Sequence, residues 1–318
     1  MKVYYRLLKI SKQLYDIAAR NPKSRRDWML FSNKEYSNNL IAKMILSNKP
    51  FMIARFGSTE MENIVNYLGV IGNKKNIRGY IKGKTLPWWW DSHNSDELCF
   101  FSGFFPNDTK LVFDFCKEMI EIMPNVDLLG SWLKEEWLFK DQLKNAKRVV
   151  LEDLEPFFCD NPWTRALKGK RVLVIHPFAE TIESQYLKRN LIYPDGLLPD
   201  FNLTTIKAVQ TICETKSNFD TWFDALDYMR KQIDENDFDI AIIGCGAYGF
   251  PLASYIKEKG KQAIHLGGVT QILFGIKGGR YEGSHVWPYM NLFNKYWVRP
   301  DKSETPKDSN KIEGNCYW

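Results

Sequence analysis

The stretch FDIAIIGCGAYGFPLASYIKEKGKQAIHLGGVTQILFGIKGGR, residues 238–280, decides how this chain is read. It opens with a run of mostly β-branched residues, 239–243, that suits a buried strand. Three glycines follow, Gly244, Gly246 and Gly249. A segment of helical periodicity comes next, 250–259, which Gly260 should end. A second apolar strand, 262–266, runs into the pair Gly267 and Gly268. Two strands joined by one helix prefer a parallel, right-handed crossover. In open parallel sheets ligands sit outside the carboxyl ends of the strands, so these glycines should form one wall of a site.

The same alternation extends along the chain. Strands are expected at 50–54, 126–129, 148–152, 171–176 and 203–209, with helices at 35–46, 60–68, 108–122, 180–189 and 219–234. Strand and helix in turn predict an α/β fold, a Rossmann-like and mostly parallel twisted sheet flanked by helices. Residues 1–48 read as an N-terminal helical segment, and 72–107 as a helix–loop elaboration at the mouth of the site. The polar tail 301–318 reads as mobile. No linker composition divides residues 1–300, which are expected to form one elaborated domain.

Composition narrows the function classes. The net charge is +6 and the pI near 8.8, with part of the excess in the first fifty residues. Without an RNP pattern, zinc-finger spacing or basic heptad, this charge does not argue for nucleic acid as a partner. The 6 cysteines are scattered with no CxxC, and read as reduced thiols of a cytoplasmic protein. No apolar run approaches the roughly 20 residues needed to span a bilayer. Residues 1–21 pattern as a basic amphipathic helix, which packs on its own domain or makes peripheral contact with the inner face of a membrane. Aromatic residues are 14% of the chain and include Trp88–Trp89–Trp90; most should be core.

Four strand ends carry polar or glycine clusters. Gly244, Gly246 and Gly249, with Ala247 and Tyr248 between them, match GxGxxG after a strand and before a helix, a place where backbone N–H groups can approach phosphate. No acid ends the next strand to hold a ribose hydroxyl, which disfavours NAD; the bland alternative is a tight turn. The second cluster is Arg55, Gly57, Ser58 and Glu60. Arg55 is suited to bidentate phosphate binding, Ser58 to an N-cap, and Glu60 to metal binding, to base catalysis or simply to the helix dipole. The third is Glu152, Asp153 and Glu155, in which Asp153 and Glu155 have divalent-metal spacing, though exposed acids give the same pattern. The fourth is His176 with Glu180, suited to acid–base work or to a histidine fixed in a loop. His265, Gln271, Lys277 and Arg280 flank the last glycines and suit an anionic ligand.

The segment Ala54–Arg55–Phe56–Gly57–Ser58–Thr59–Glu60, together with the late IGCGAYGFPLA…IHLGG unit, resembles the glycosyltransferases of the GT-D fold. The first segment is similar to that group's ARFGDGE. The resemblance implies transfer of a sugar from a nucleotide-sugar, typically a UDP-sugar, with a divalent metal (Mn or Mg), to a glycan or lipid-linked acceptor of surface polysaccharide or glycoprotein assembly. On it, Arg55, Gly57, Ser58, Glu180, Arg280 and the glycine clusters hold the donor, Glu60 binds metal or acts as base, and His176 or His265 assists. One position departs from the pattern, because the group's Asp-x-Glu is Ser58-x-Glu60 here. Asp153 or Glu155 supplies the missing carboxylate, or Arg55 and helix dipoles neutralise the diphosphate without metal, or the activity is lost. The rival readings are a non-catalytic or differently catalytic nucleotide-binding protein and a membrane-surface scaffold of envelope assembly.

Overall fold

The computed structural model describes residues 2–18, 31–282, 288–312 and 316–318. Seven strands form one sheet: β1 (Phe51–Ala54), β2 (Leu128–Ser131), β3 (Lys147–Val150), β4 (Arg171–His176), β5 (Asn202–Lys207), β6 (Ile240–Ile243) and β7 (Gln262–His265). Their order is β3-β2-β1-β7-β6-β4-β5, and every pairing is parallel. All residues of β1, β6 and β7 are buried, as strands covered on both faces must be. The fold is thus the α/β, Rossmann-like one expected, with the strand–helix–strand unit of residues 240–265 at its centre.

The period-2 alternation of the strands splits the core in two. Met52, Ala54, Leu173, Ile175, Ala241 and Ile243 face a layer containing Met61, Phe115, Trp222 and Leu252. Phe51, Ile53, Val172, Val174, Ile240 and Ile242 face the other layer, with Ile41, Ile182 and Ile272. Each Val, Leu, Ile, Phe or Met side chain among them, fully buried, is worth about 1.5–3 kcal/mol. Helix Trp222–Asp234 starts at a capping box in which Thr221 and Asp224 satisfy each other's backbone donors, which sharpens the expected start at 219.

Several expectations are corrected. The expected helix 180–189 is two, Ala179–Tyr186 and Arg189–Ile192. Strand β3 ends at Val150, so Glu152 and Asp153 lie on a 3-10 turn, Leu151–Leu154, and Glu155 in the extended residue that ends it. Residues 72–107 contain two helices, Ile77–Ile81 and Ser92–Ser102. The helix expected over 1–21 is Lys2–Ala18, its last residues lying outside the described ones.

The C-terminal segment is not a mobile appendage. Glu304, Ile312, Cys316 and Trp318 are 3%, 2%, 1% and 4% exposed. The Glu304 carboxylate accepts from the Glu180 N–H at 2.8 Å and from the N–H and hydroxyl of Thr181, which caps helix Ala179–Tyr186. Arg280 N–H donates to the Cys316 carbonyl at 3.1 Å, and Gln271 Nε2 to the Tyr317 carbonyl at 3.1 Å. The polar composition of residues 301–312 hides the few apolar side chains that anchor it; residues 313–315 lie outside the described ones.

Candidate functional site

Register brings the strand ends together. Ile53 pairs with Ile264, Ile243 with His265, and Ile175 with Ile243. Arg55, His265, Gly244 and His176 therefore fall in neighbouring rows at the carboxyl edge of β1, β7, β6 and β4. A cavity of about 800 Å³ opens there, lined by Arg55, Gly57, Ser58, Glu60, His176, Gly244, Gly246, Tyr248, His265, Gly267, Gly268 and Arg280 among others. It lies where strand order reverses around β1, the place an open parallel sheet offers a ligand.

Each residue is held there by its neighbours. Helix Ser58–Gly72 begins with Gly57 as its cap; Ser58, expected to cap it, is its first helical residue. The Glu60 carboxylate folds back over the helix start, where a Cβ on Gly57 would meet its Oε2 at 1.7 Å. Gly57 is thus the space in which Glu60 sits, and the N-terminal dipole favours its charge. Thr59 Oγ1 donates to Glu60 Oε2 at 2.9 Å and lies 2.6 Å from Ser102 Oγ. The Arg55 guanidinium lies 5.1 Å from the ring of Trp132, whose Nε1 donates to the Phe56 carbonyl at 2.8 Å. Trp132 is fixed in turn by buried Glu136, which accepts the N–H groups of Trp132 and Leu133 at 3.1 Å and pairs with Arg148 at 3.3 Å.

The glycine turn accommodates the protein's own groups. A Cβ at Gly244 would meet the Gly267 carbonyl at 2.6 Å and the His176 ring at 2.8 Å. Gly246, at φ +59, lies against the Ser102 carbonyl, and Gly249 gives way to the His265 ring, 2.2 Å from where its Cβ would be. Ala247 and Gly249 lie behind the wall: Ala247 belongs to the core, and Gly249 faces histidine rather than ligand. These three glycines do the packing work of a strand–helix turn, leaving phosphate approach to the loop surface at Gly244 and Gly246.

Both histidines are buried and neutral. Burial pulls each down to about 3, and Arg55 adds to the effect at His265. His176 Nδ1 accepts the Phe178 N–H at 3.0 Å, so its proton is on Nε2. His265 Nδ1 lies 3.3 Å from the Ile243 carbonyl, so its proton is on Nδ1. A group held near 3 is a weak base at neutral pH, and the acid–base role expected of His176 and His265 gives way to hydrogen bonding. A stability consequence follows. An unfolded histidine titrates near 6.5, so the unfolded chain takes up protons that these two sites refuse. Their contribution is complete above pH 6.5 and is lost as pH falls towards 3, at about 1.4 kcal/mol per pH unit for each. Glu155 runs the other way: burial raises it to about 7, so its neutral form stabilises below pH 4.5 and that contribution fades as pH rises to 7. The expected outcome is that His176→Gln loses less stability than the parent chain between pH 6 and pH 4 in thermal melts, a difference that cancels the shared effect of Glu155.

The metal set expected from the acidic triplet does not assemble. Asp153 is buried with its oxygens accepting from Ser32 Oγ at 2.6 Å, Asn33 N at 2.8 Å and Ser37 Oγ at 3.2 Å, anchoring the start of helix Lys34–Leu46. Glu155 accepts from the Tyr289 hydroxyl at 2.5 Å. Neither lines the cavity; Glu152, between β3 and these two, does. Among the described residues no group of three or more His, Cys, Asp or Glu is arranged to hold a metal ion. With serine at position 58, Glu60 is left without the second carboxylate of the motif, and the donor set does not fit a metal centre built by the protein. Asp153→Asn is expected to destabilise the fold by about 1.5–3 kcal/mol, the range for hydrogen bonds to a charged group, and to leave ligand affinity unchanged. Denaturant melts and ligand titration of the same variant check both halves.

Glu180 and Lys277 also lie off the site. Glu180 is exposed and pairs with Lys207 at 2.9 Å, while Lys277 stands over the Phe293 ring at 5.5 Å. The cavity instead gains residues unmarked by any motif. Tyr317 and Trp318 arrive from the C-terminal segment, with the Arg280 guanidinium 5.0 Å from the Tyr317 ring. Glu62, Glu97, Phe101, Ser102 and Thr211 come from helices and loops at the mouth, and burial beside Glu97 raises the Glu62 carboxyl. Trp132, one residue past β2, follows the same strand-end rule as Arg55 and was legible by it. Gln271 is fully buried; its Nε2 donates to three carbonyls, and among the described residues no donor reaches its Oε1.

The cavity thus combines two guanidinium groups, a carboxylate in the first turn of a helix, two neutral imidazoles and an unmet buried acceptor. Compared with protein-family models, curated proteins and solved structures, the chain matches none.

Proposed function

We propose that the protein is a glycosyltransferase that takes its sugar from a nucleoside diphosphate donor, a UDP-sugar by resemblance, and passes it to a hydroxyl of a glycan or lipid-linked acceptor. The observation that carries this reading is the convergence of Arg55, Arg280 and Glu60 on one cavity at the carboxyl edge of the sheet. Breaking the bond between the anomeric carbon and the diphosphate oxygen leaves negative charge on that oxygen, which Arg55 and Arg280 neutralise. The acceptor oxygen bonds to the anomeric carbon and gives its proton to the Glu60 carboxylate. Arg55 stays cationic beside Glu60, though burial lowers its affinity for its proton. Gln271 Oε1 accepts from a hydroxyl of the donor, which would satisfy the buried oxygen.

A second cleft, of about 820 Å³, supplies a place for the acceptor. Phe100, Phe105 and Phe219 line it, and it shares Glu97, Phe101 and Thr211 with the first cavity. Flat aromatic faces with carboxylates beside them suit sugar rings. The glycine turn favours one other reading: because its glycines seat the protein's own groups, a nucleotide could be bound without transfer.

The test has two steps. Thermal-shift titration with UDP, GDP, CDP and TDP, each with and without manganese, names the base, since a ligand stabilises only the state that binds it. Release of nucleoside diphosphate from the matching sugar is then followed with and without a glycan acceptor. Acceptor-dependent release supports transfer. Binding without release supports the nucleotide-binding reading, and no stabilisation by any nucleotide rejects both.

A further inference from the structure

Helix Lys2–Ala18 has two apolar faces, and the domain uses one. On the inner face Tyr5 stacks on Trp89 with centroids 4.4 Å apart and planes at 10°, and Leu8 is 7% exposed in a cluster with Tyr80, Trp88 and Trp89. Lys9 pairs with Asp91 on the same side. These contacts set the helix's rotation. They also account for the run of three tryptophans, two of which pack beneath it.

The rotation leaves Val3, Leu7, Ile10, Leu14 and Ile17 outward, at 73%, 58%, 44%, 62% and 75% exposed. Their steps of four and three residues place all five on one stripe. A stripe of this kind is covered either by a second copy of the helix or by lipid, and charge decides between them. Residues 1–26 hold eight basic side chains and a single acidic one, Asp16. A second copy would bring the same surplus against itself, whereas anionic headgroups complement it. Among the described residues no helix is long and apolar enough to cross a bilayer, and a 17-residue amphipathic helix suits the plane of the interface. We propose that this helix seats the protein on an anionic membrane surface, the Val3–Ile17 stripe entering the acyl boundary and the basic surplus of residues 1–26 supplying the attraction to the headgroups.

The proposal does not depend on the activity of the cavity, and its test reads none. Full-length protein is sedimented with vesicles of phosphatidylcholine alone and of phosphatidylcholine with phosphatidylglycerol. Binding is expected to be at least about tenfold stronger to the anionic vesicles, each basic residue near the surface contributing, and to weaken towards 0.5 M salt, roughly, as the charges are screened. The variant Leu7→Glu/Leu14→Glu should lose that binding by about tenfold or more while melting like the parent chain, because both side chains face solvent. Equal or absent binding to the two vesicle types, or full binding by the variant, overturns the proposal. So does a dimer in light scattering that the same variant dissociates, which would identify a second copy as the occupant.

Discussion

Glu60→Gln should lower sugar transfer by about two to four orders of magnitude, the range for loss of a positioned general base. The substitution is isosteric, so the space over Gly57 stays filled and the hydrogen bond with Thr59 can persist. What disappears is the charge, and with it the basicity that takes the acceptor's proton. Stability should fall by only about 0.3–1 kcal/mol, the value of a carboxylate at a helix N-terminus. Donor binding should be unaffected or slightly tighter, since a negative charge next to the diphosphate is removed. Steady-state kinetics with nucleotide titration checks the split: kcat falls while affinity for the nucleoside diphosphate holds. Near-parental turnover in this variant would remove Glu60 from the chemistry and leave it as a first-turn acid complementing the helix dipole.

The largest loss of stability is expected from Trp318→Ala, about 3–5 kcal/mol by the cost of emptying a buried tryptophan site. The ring is 4% exposed, lies 6.1 Å from Phe178, and donates from Nε1 to the Glu304 carbonyl at 3.3 Å. Losing it loosens the segment whose Glu304 caps helix Ala179–Tyr186 and whose Tyr317 lies beside Arg280. Nucleotide affinity should therefore fall together with stability. Urea denaturation with ligand titration measures both, and an unchanged midpoint would mean that the C-terminal segment does not brace the cavity wall.

The two halves of this picture came from different sources. Runs such as Ile240–Ile243 and Arg171–His176 were legible as strands because a parallel sheet buries both faces and so needs uninterrupted apolar, β-branched sequence. Once the strands are known, the rule that ligands meet their carboxyl ends selects Arg55, Glu60, His176, His265 and the glycines without any contact information. The acidic triplet was misassigned for a physical reason. Three carboxylates on and just after one short 3-10 turn point in different directions, and only the packed neighbours decide that Asp153 meets helix Lys34–Leu46, Glu155 meets Tyr289, and Glu152 faces the cavity.

Local sequence determined the sheet, the order of its helices and the edge on which a site had to lie, because hydrophobic period and turn chemistry act over a few residues. Tertiary structure alone decided which faces of Asp153 and Glu155 were spent, that both imidazoles are neutral, and that Tyr317 and Trp318 close the wall. Those properties depend on burial and on partners tens to hundreds of residues away, such as Tyr289, 134 positions along from Glu155, and no local pattern encodes them.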